Sequence, residues 1–436
     1  MSPVSRTRKT TKSKTSSGLR GAARRGSQGP LISPPRSAWA ALQAALLGPR
    51  QRPEWFDPSI KTVLDGADVV MAARGPRELE QLTAELVGAE LHRAVHGEGK
   101  GLWFDWWFEE LAAAAAARIR EEVGSRDGGW VPPWRLLHGL TSIGSPALQS
   151  VARTAVRRVS KELRGDPALR RQPDWLRLLA KVTATGEVWE MRDAYGARIA
   201  LIAGFSYPRG VDRSVFLFDI DACGFVEIAH AGVFDDVAQA ATAWRALVGD
   251  TAQSARPERV ETAERLRCLA HYESGEEILR GTESRTVLDN WFRARRRVRD
   301  LAEALRKRGL SLPMARSLYD DLDTDPMAQA FTSWHAQRHG TEPDPEAVDA
   351  LALEWMEGAL PDTWHATSPH RVDFQLALIN DWMPDDPITV AMKALLPDWV
   401  RWHGEQADLP EHLIDRAVAV AAGGARAATD CRDRQV

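Results

Sequence analysis

Between Glu187 and Val233 the chain passes through four short runs rich in aromatic and β-branched residues: EVWEMRD, ARIALIAGFSY, SVFLFDID and FVEIAHAGV. They are parted only by AYG, PRGVDR and ACG. A parallel crossover needs about a dozen residues, so breaks this short predict antiparallel pairing, a four-stranded meander. Alternation is clearest over residues 214–221. There Val215, Leu217 and Asp219 point one way, and Phe216, Phe218 and Ile220 the other. Asp193, Asp219 and Asp221 fall at strand ends, where turn chemistry alone favours aspartate. A helix is expected next, near residues 235–248.

The flanks read differently. Trp39, Leu42, Leu46 and Leu47 have helical spacing, and Pro76 opens a helix carrying Leu79, Leu82, Leu86 and His92. LWFDWWFEELAAAAAARIREEV combines a wide aromatic face with an alanine run of high helix propensity. Further helices are expected over 133–140 and from Pro146 to Leu163. Beyond the sheet one long amphipathic helix is expected over Arg285–Arg308, stopped at Gly309. Shorter ones follow near 313–321, 326–338, 345–358, 370–382, 387–402 and 410–422. The fold class expected is therefore α+β, predominantly α-helical, with two helical regions flanking the meander. The divisions are a disordered basic tail (1–37), an N-terminal helical region (38–165), the sheet with its helix (170–250), a helical connector (257–310), a Trp/His-rich C-terminal helical region (311–422) and a frayed end (423–436).

Charge narrows the possible partners. Residues 1–53 hold eleven Lys and Arg and no acid, which leaves 46 basic against 60 acidic residues in the rest. An acidic body repels nucleic acid and anionic membranes, so any nucleic-acid contacts are expected on the tail or on a local patch, and no membrane contact is expected. Arg6, Arg8, Lys9, Lys12, Lys14, Arg24 and Arg25 are the residues expected to make them. Cys223, Cys268 and Cys431 are scattered and form no C-x-x-C, which fits a reducing cytoplasm rather than a disulfide framework. Neither a signal core nor a membrane-length apolar run is found. Arginine far outnumbers lysine, a bias of GC-rich bacterial genes.

The motifs that carry chemistry mostly fail. No phosphate-binding glycine loop and no G-x-S-x-G is present, and no cofactor is expected. The Asp320–Asp325 cluster lacks the partners of an EF-hand or of a terpene-synthase magnesium site. It would also repel phosphate from any helix-turn-helix built over 301–322. Arg293, Arg296, Arg299 and Lys307 are expected on a solvated helix face, neutralised by Asp300 and Glu303 at i,i+4 spacing. His92/His96 and His335/His339 have the spacing of two metal ligands on one helix face, without the Glu of H-E-x-x-H. Residues 334–403 hold five of eleven histidines and six of seventeen tryptophans, which allows either an aromatic-walled pocket or a packed core.

The stretch Phe374–Trp402 (FQLALINDWMPDDPITVAMKALLPDWVRW), preceded by DALALEW at Asp349–Trp355, resembles the end of a group of uncharacterised proteins of GC-rich Gram-positive bacteria. The W-x-x-x-D-x-Y-G block at Trp189–Gly196 and the D-I-D strand at Asp219–Asp221 are similar to the same group. The resemblance implies an architecture and no activity. Two function classes follow from the residues. One is a non-enzymatic cytoplasmic binding or adaptor protein whose basic tail contacts nucleic acid or an acidic partner. The alternative is a metal-dependent hydrolase using His335 and His339.

Overall fold

A computed structural model describes residues 52–98, 103–123, 128–208, 212–224, 226–270, 272, 283–312, 322–357, 359–383 and 385–426. The basic tail, the segment 313–321 and the chain end beyond 426 lie outside them. The fold is predominantly α-helical α+β, as expected. Among the described residues, α1 (Phe56–Asp65), α2 (Pro76–Glu98), α3 (Phe104–Glu122), α4 (Val131–Ile143) and α5 (Pro146–Glu162) come first, followed by a single helical turn at Pro167–Arg170. The sheet follows as β1 (Thr183–Arg192), β2 (Arg198–Ser206), β3 (Arg213–Asp221) and β4 (Glu227–Phe234), all antiparallel neighbours. Then come α6 (Val237–Val248), a short β5 (Glu258–Arg259), α7 (Arg285–Asp289) and α8 (Trp291–Lys307). The C-terminal region is α9 (Asp325–His339), α10 (Pro345–Met356), α11 (Pro369–Asn380), α12 (Pro387–Gln406) and α13 (Glu411–Ala421).

The sheet has five strands in the order β4-β3-β2-β1-β5, one more than the four expected. β5 is only two residues long, pairing Arg259 with Trp189 and Glu258 with Glu190, and so leaves no alternation to read. At the other edge, the Ile228 N–H donates to the Tyr272 hydroxyl. The Asn290 amide donates to the Ala231 carbonyl at 2.7 Å.

The alternation in β3 sorts its side chains into two cores. Phe216, Phe218 and Ile220 join Leu79, Leu176, Leu179, Val298 and Leu305 on one face. Val215 and Leu217 join Ala240, Ala241, Trp244 and Val248 of α6 on the other. Both faces are thus covered, and the central strands β2 and β3 are buried along nearly their whole length. The N-terminal helices enclose a further core around Trp107, Phe108, Leu111, Leu136 and Leu140, to which Leu288 and Phe292 also belong. The segment read as a connector therefore serves two cores at once. Gly88 of α2 lets it approach α7: a Cβ there would lie 2.3 Å from the Asp289 Cα.

The basic helix departs from expectation in two ways. It is divided at Asn290 into α7 and α8, where the backbone leaves helical geometry (φ −102°, ψ 2°) and the side chain donates to the Ala231 and Thr286 carbonyls. Its first turns are not a solvated face: Arg293, Arg295, Arg296 and Arg297 are buried and Arg299 is half-buried, while Lys307 near its end is exposed and pairs with Glu303 as expected. Arg296 pairs with Asp300 at 2.8 Å, as the spacing predicts. Arg297, however, reaches Glu80 of α2 at 2.5 Å, and Arg293 lies 4.0 Å from the same carboxylate. Ser142 and Tyr207 complete the group by donating to Glu80, the latter at 2.8 Å. Burial pushes the Glu80 carboxyl up, but Arg297 and Arg293 outweigh that and hold it below its usual value.

Candidate metal centre

α9 begins at Asp325 with Pro326 in its first turn and ends at Gly340, whose φ of 73° is the left-handed cap that glycine adopts freely. Met327, Ala328, Phe331 and His335 face inward along it. α12 is started by Asp386, whose side chain accepts from the Ile388 N–H. Aromatic edges lock the two helices together. Phe331 meets Trp399 edge-on at 4.8 Å and Trp402 at 5.7 Å, while Trp334 stacks on Phe331 at 5.9 Å. Such pairs are worth about 0.5–1.5 kcal/mol each beyond their burial. They fix Asp398, which precedes Trp399, opposite the last two turns of α9.

Asp398 Oδ2 lies 3.2 Å from His339 Nε2 and 3.8 Å from His335 Nε2. The three ligand atoms all lie within 4.8 Å of one another. Donor atoms that share a zinc-class ion at about 2.0–2.2 Å stand roughly 3–4 Å apart, so the spacing suits one. The return of the chain after Gly340 brings the Thr341 carbonyl to His335 Nδ1 at 3.1 Å. A carbonyl only accepts, so Nδ1 must carry the hydrogen, and in the neutral ring Nε2 holds a lone pair. That lone pair then faces the carboxylate oxygen, which is repulsive until a proton or a metal ion comes between them. Ligating histidines are commonly oriented through their second nitrogen in this way. His335 is nearly enclosed, whereas His339 and Asp398 are partly open to solvent.

The rest of the Trp/His region is a filled core, not a pocket. Trp355, Trp399 and Trp402 are buried in it with Phe331, Leu351 and Met392. His403 is fully enclosed, stacked on Trp355 at 5.0 Å. Its Nδ1 lies 2.9 Å from that of His365, so one ring donates and the other accepts. Burial, with His365 and Arg371 nearby, drives the His403 pKa well below its ordinary value. An open cavity of about 720 Å³ lies elsewhere, lined by residues including Leu64, Met71, Arg118, Pro132 and Arg171.

The His92 and His96 rings lie 4.3 Å apart, tilted by 51°, and His96 Nε2 approaches the Glu283 carbonyl at 3.2 Å. Among the described residues they gather no further metal-ligand side chain. Arg6, Arg8, Lys9, Lys12, Lys14, Arg24 and Arg25 lie outside the described residues. The helical spacing of His335 and His339 was legible, but Asp398 was not, because it comes from another helix. Asp193, Asp219 and Asp221 are more than turn formers: all three are buried at one end of the sheet. Comparison with protein-family models, curated proteins and solved structures finds no match to this chain.

Proposed function

We propose that this protein binds a divalent transition-metal ion through His335, His339 and Asp398. The observation that carries this reading is the convergence of both Nε2 atoms on one carboxylate oxygen, with His335 held in the ligand tautomer by Thr341. Two imidazoles and a carboxylate suit zinc, and equally iron(II), cobalt or nickel. Three protein donors leave positions facing solvent, the pattern of catalytic rather than structural zinc sites. An ion bound there supplies an acidified water, so hydrolysis is the chemistry favoured. The chain's own part is to fix the donors and to keep the His335 proton on Nδ1.

The test is zinc binding by the full chain, stripped of metal, and by its His335→Ala and His339→Ala variants. Each variant should lose at least about tenfold in affinity for one zinc equivalent. Unchanged zinc binding in the double variant overturns the reading. The half-exposed His339 makes His339→Ala the variant least prone to disturb folding.

A second reading rests on charge. We propose that the first 53 residues, with eleven bases and no acid, make whatever contact the protein has with nucleic acid or an acidic partner. A chain starting at Ser37 should bind DNA more weakly and with a shallower salt dependence than the full chain. Equal affinity and equal slope remove the tail from the account.

A further inference from the structure

Arg198 opens β2 beneath three buried carboxylates. It grips Asp219 with two 2.7 Å bonds, from Nε and Nη2. Trp244 Nε1 donates to the same carboxylate at 2.9 Å. Asp193 accepts from the backbone N–H groups of Ala197 and Arg198, both at 3.0 Å. The guanidinium Nη1 stands 3.7 Å from Asp221 Oδ2.

Asp221 faces the first turn of α11. Its Oδ1 accepts from the Cys223 N–H at 2.9 Å, which fixes the carboxylate plane. Its Oδ2 lies 3.4 Å from His370 Nδ1. Cys223 Sγ is 3.1 Å from Ser368 Oγ. The Asp221, Cys223 and His370 ligand atoms all lie within 4.8 Å of one another, and all three residues are buried. The 3.4 Å separation matches the edge of a tetrahedron with bonds of about 2.0–2.2 Å.

Two guanidiniums flank the group, Arg198 and Arg371. Arg371 donates to the Trp355 carbonyl at 2.8 Å and to the Thr363 carbonyl.

We propose that Asp221, Cys223 and His370, with Ser368 beside them, form a second, closed site for a zinc-class ion that fastens the sheet to α11. The site is structural: every donor is enclosed, and the ligand pairs D-x-C and S-x-H come from two regions that are otherwise joined through a small core of Tyr195, Ala197, Cys223, Ala366 and Leu413. Binding exchanges the Cys223 thiol proton, released to solvent, for a sulfur–metal bond.

Cobalt(II) is the probe, because a thiolate ligand gives it a near-ultraviolet charge-transfer band. The full chain refolded with cobalt should show this band. It should persist in Cys268→Ser, in Cys431→Ser and in the His335→Ala/His339→Ala double variant, and should vanish in Cys223→Ser. Persistence in the double variant separates this site from the α9–α12 centre. If Cys223→Ser does not fold, His370→Gln reports instead, with a shifted or lost band. A folded full chain without the band, or a band that survives in folded Cys223→Ser, leaves only a buried Asp–His pair and overturns the proposal.

Discussion

Replacing Glu80 by Ala should destabilise the protein by about 3–5 kcal/mol, because two buried guanidiniums lose the carboxylate they share and Arg297 keeps only the 3.3 Å bond to Asp300. Arg293 and Arg297 are each no more than 3 % exposed, and Tyr207 and Ser142 would lose their acceptor at the same time. The group ties α2, α4, α8 and the end of β2 together, so the loss is cooperative rather than local. Urea unfolding at neutral pH measures it. Glu80→Gln should lie between the native chain and Glu80→Ala, since an amide can still accept from Arg297. Replacing both Glu80 and Arg297 by apolar residues of similar volume should recover part of the loss. A cost below about 1 kcal/mol for Glu80→Ala would mean that water reaches the arginines and that the pair behaves like a surface one.

Acid should unfold the protein through its buried histidines. The His138 Nδ1–H donates to the Leu176 carbonyl at 3.1 Å, and the ring meets Trp134 edge-on at 4.5 Å. Burial lowers its pKa from 6.5 to about 4. Between those values the unfolded chain binds the proton and the folded chain resists it. The stability linked to neutral His138 is therefore complete above pH 6.5 and is lost as pH falls towards 4. A gap of this size corresponds to roughly 3 kcal/mol. His403 acts in the same direction, being enclosed with its pKa pushed well down. Unfolding free energies measured between pH 7 and pH 4.5 should fall steeply, and His138→Gln should reduce that fall by about 2.5 kcal/mol. An unchanged slope in that variant would show that His138 takes up its proton without unfolding.

Much of the fold was legible because its signals are local. Strand runs bounded by short turns, a proline or capping aspartate at helix starts and the alternation of β3 all act over a few residues. What escaped depends on distant partners. Arg297 and Glu80 are 217 residues apart, and a helix dense in arginine with acids at i,i+4 looks solvated until its partner is seen. The same holds for Asp219, whose burial requires Arg198 and Trp244 from other elements. β5 is too short to have a period. At the candidate centre, i,i+4 spacing marked His335 and His339, but the third donor and the Thr341 carbonyl that sets the tautomer come from the tertiary fold. The tryptophan count could not separate a pocket from a core. Ring contacts among Phe331, Trp355, Trp399 and Trp402 decide for a core.

The sheet's two margins govern how the protein can meet other chains. On one side β4 has backbone groups engaged by Tyr272 and Asn290 side chains. On the other, β1 is bordered by two exposed, oppositely charged residues of β5. Along β4 a partner strand would have to displace the Tyr272 and Asn290 side chains, and beside Trp189 and Glu190 it would have to displace β5. Self-association through β4 would therefore mark partial unfolding rather than native assembly.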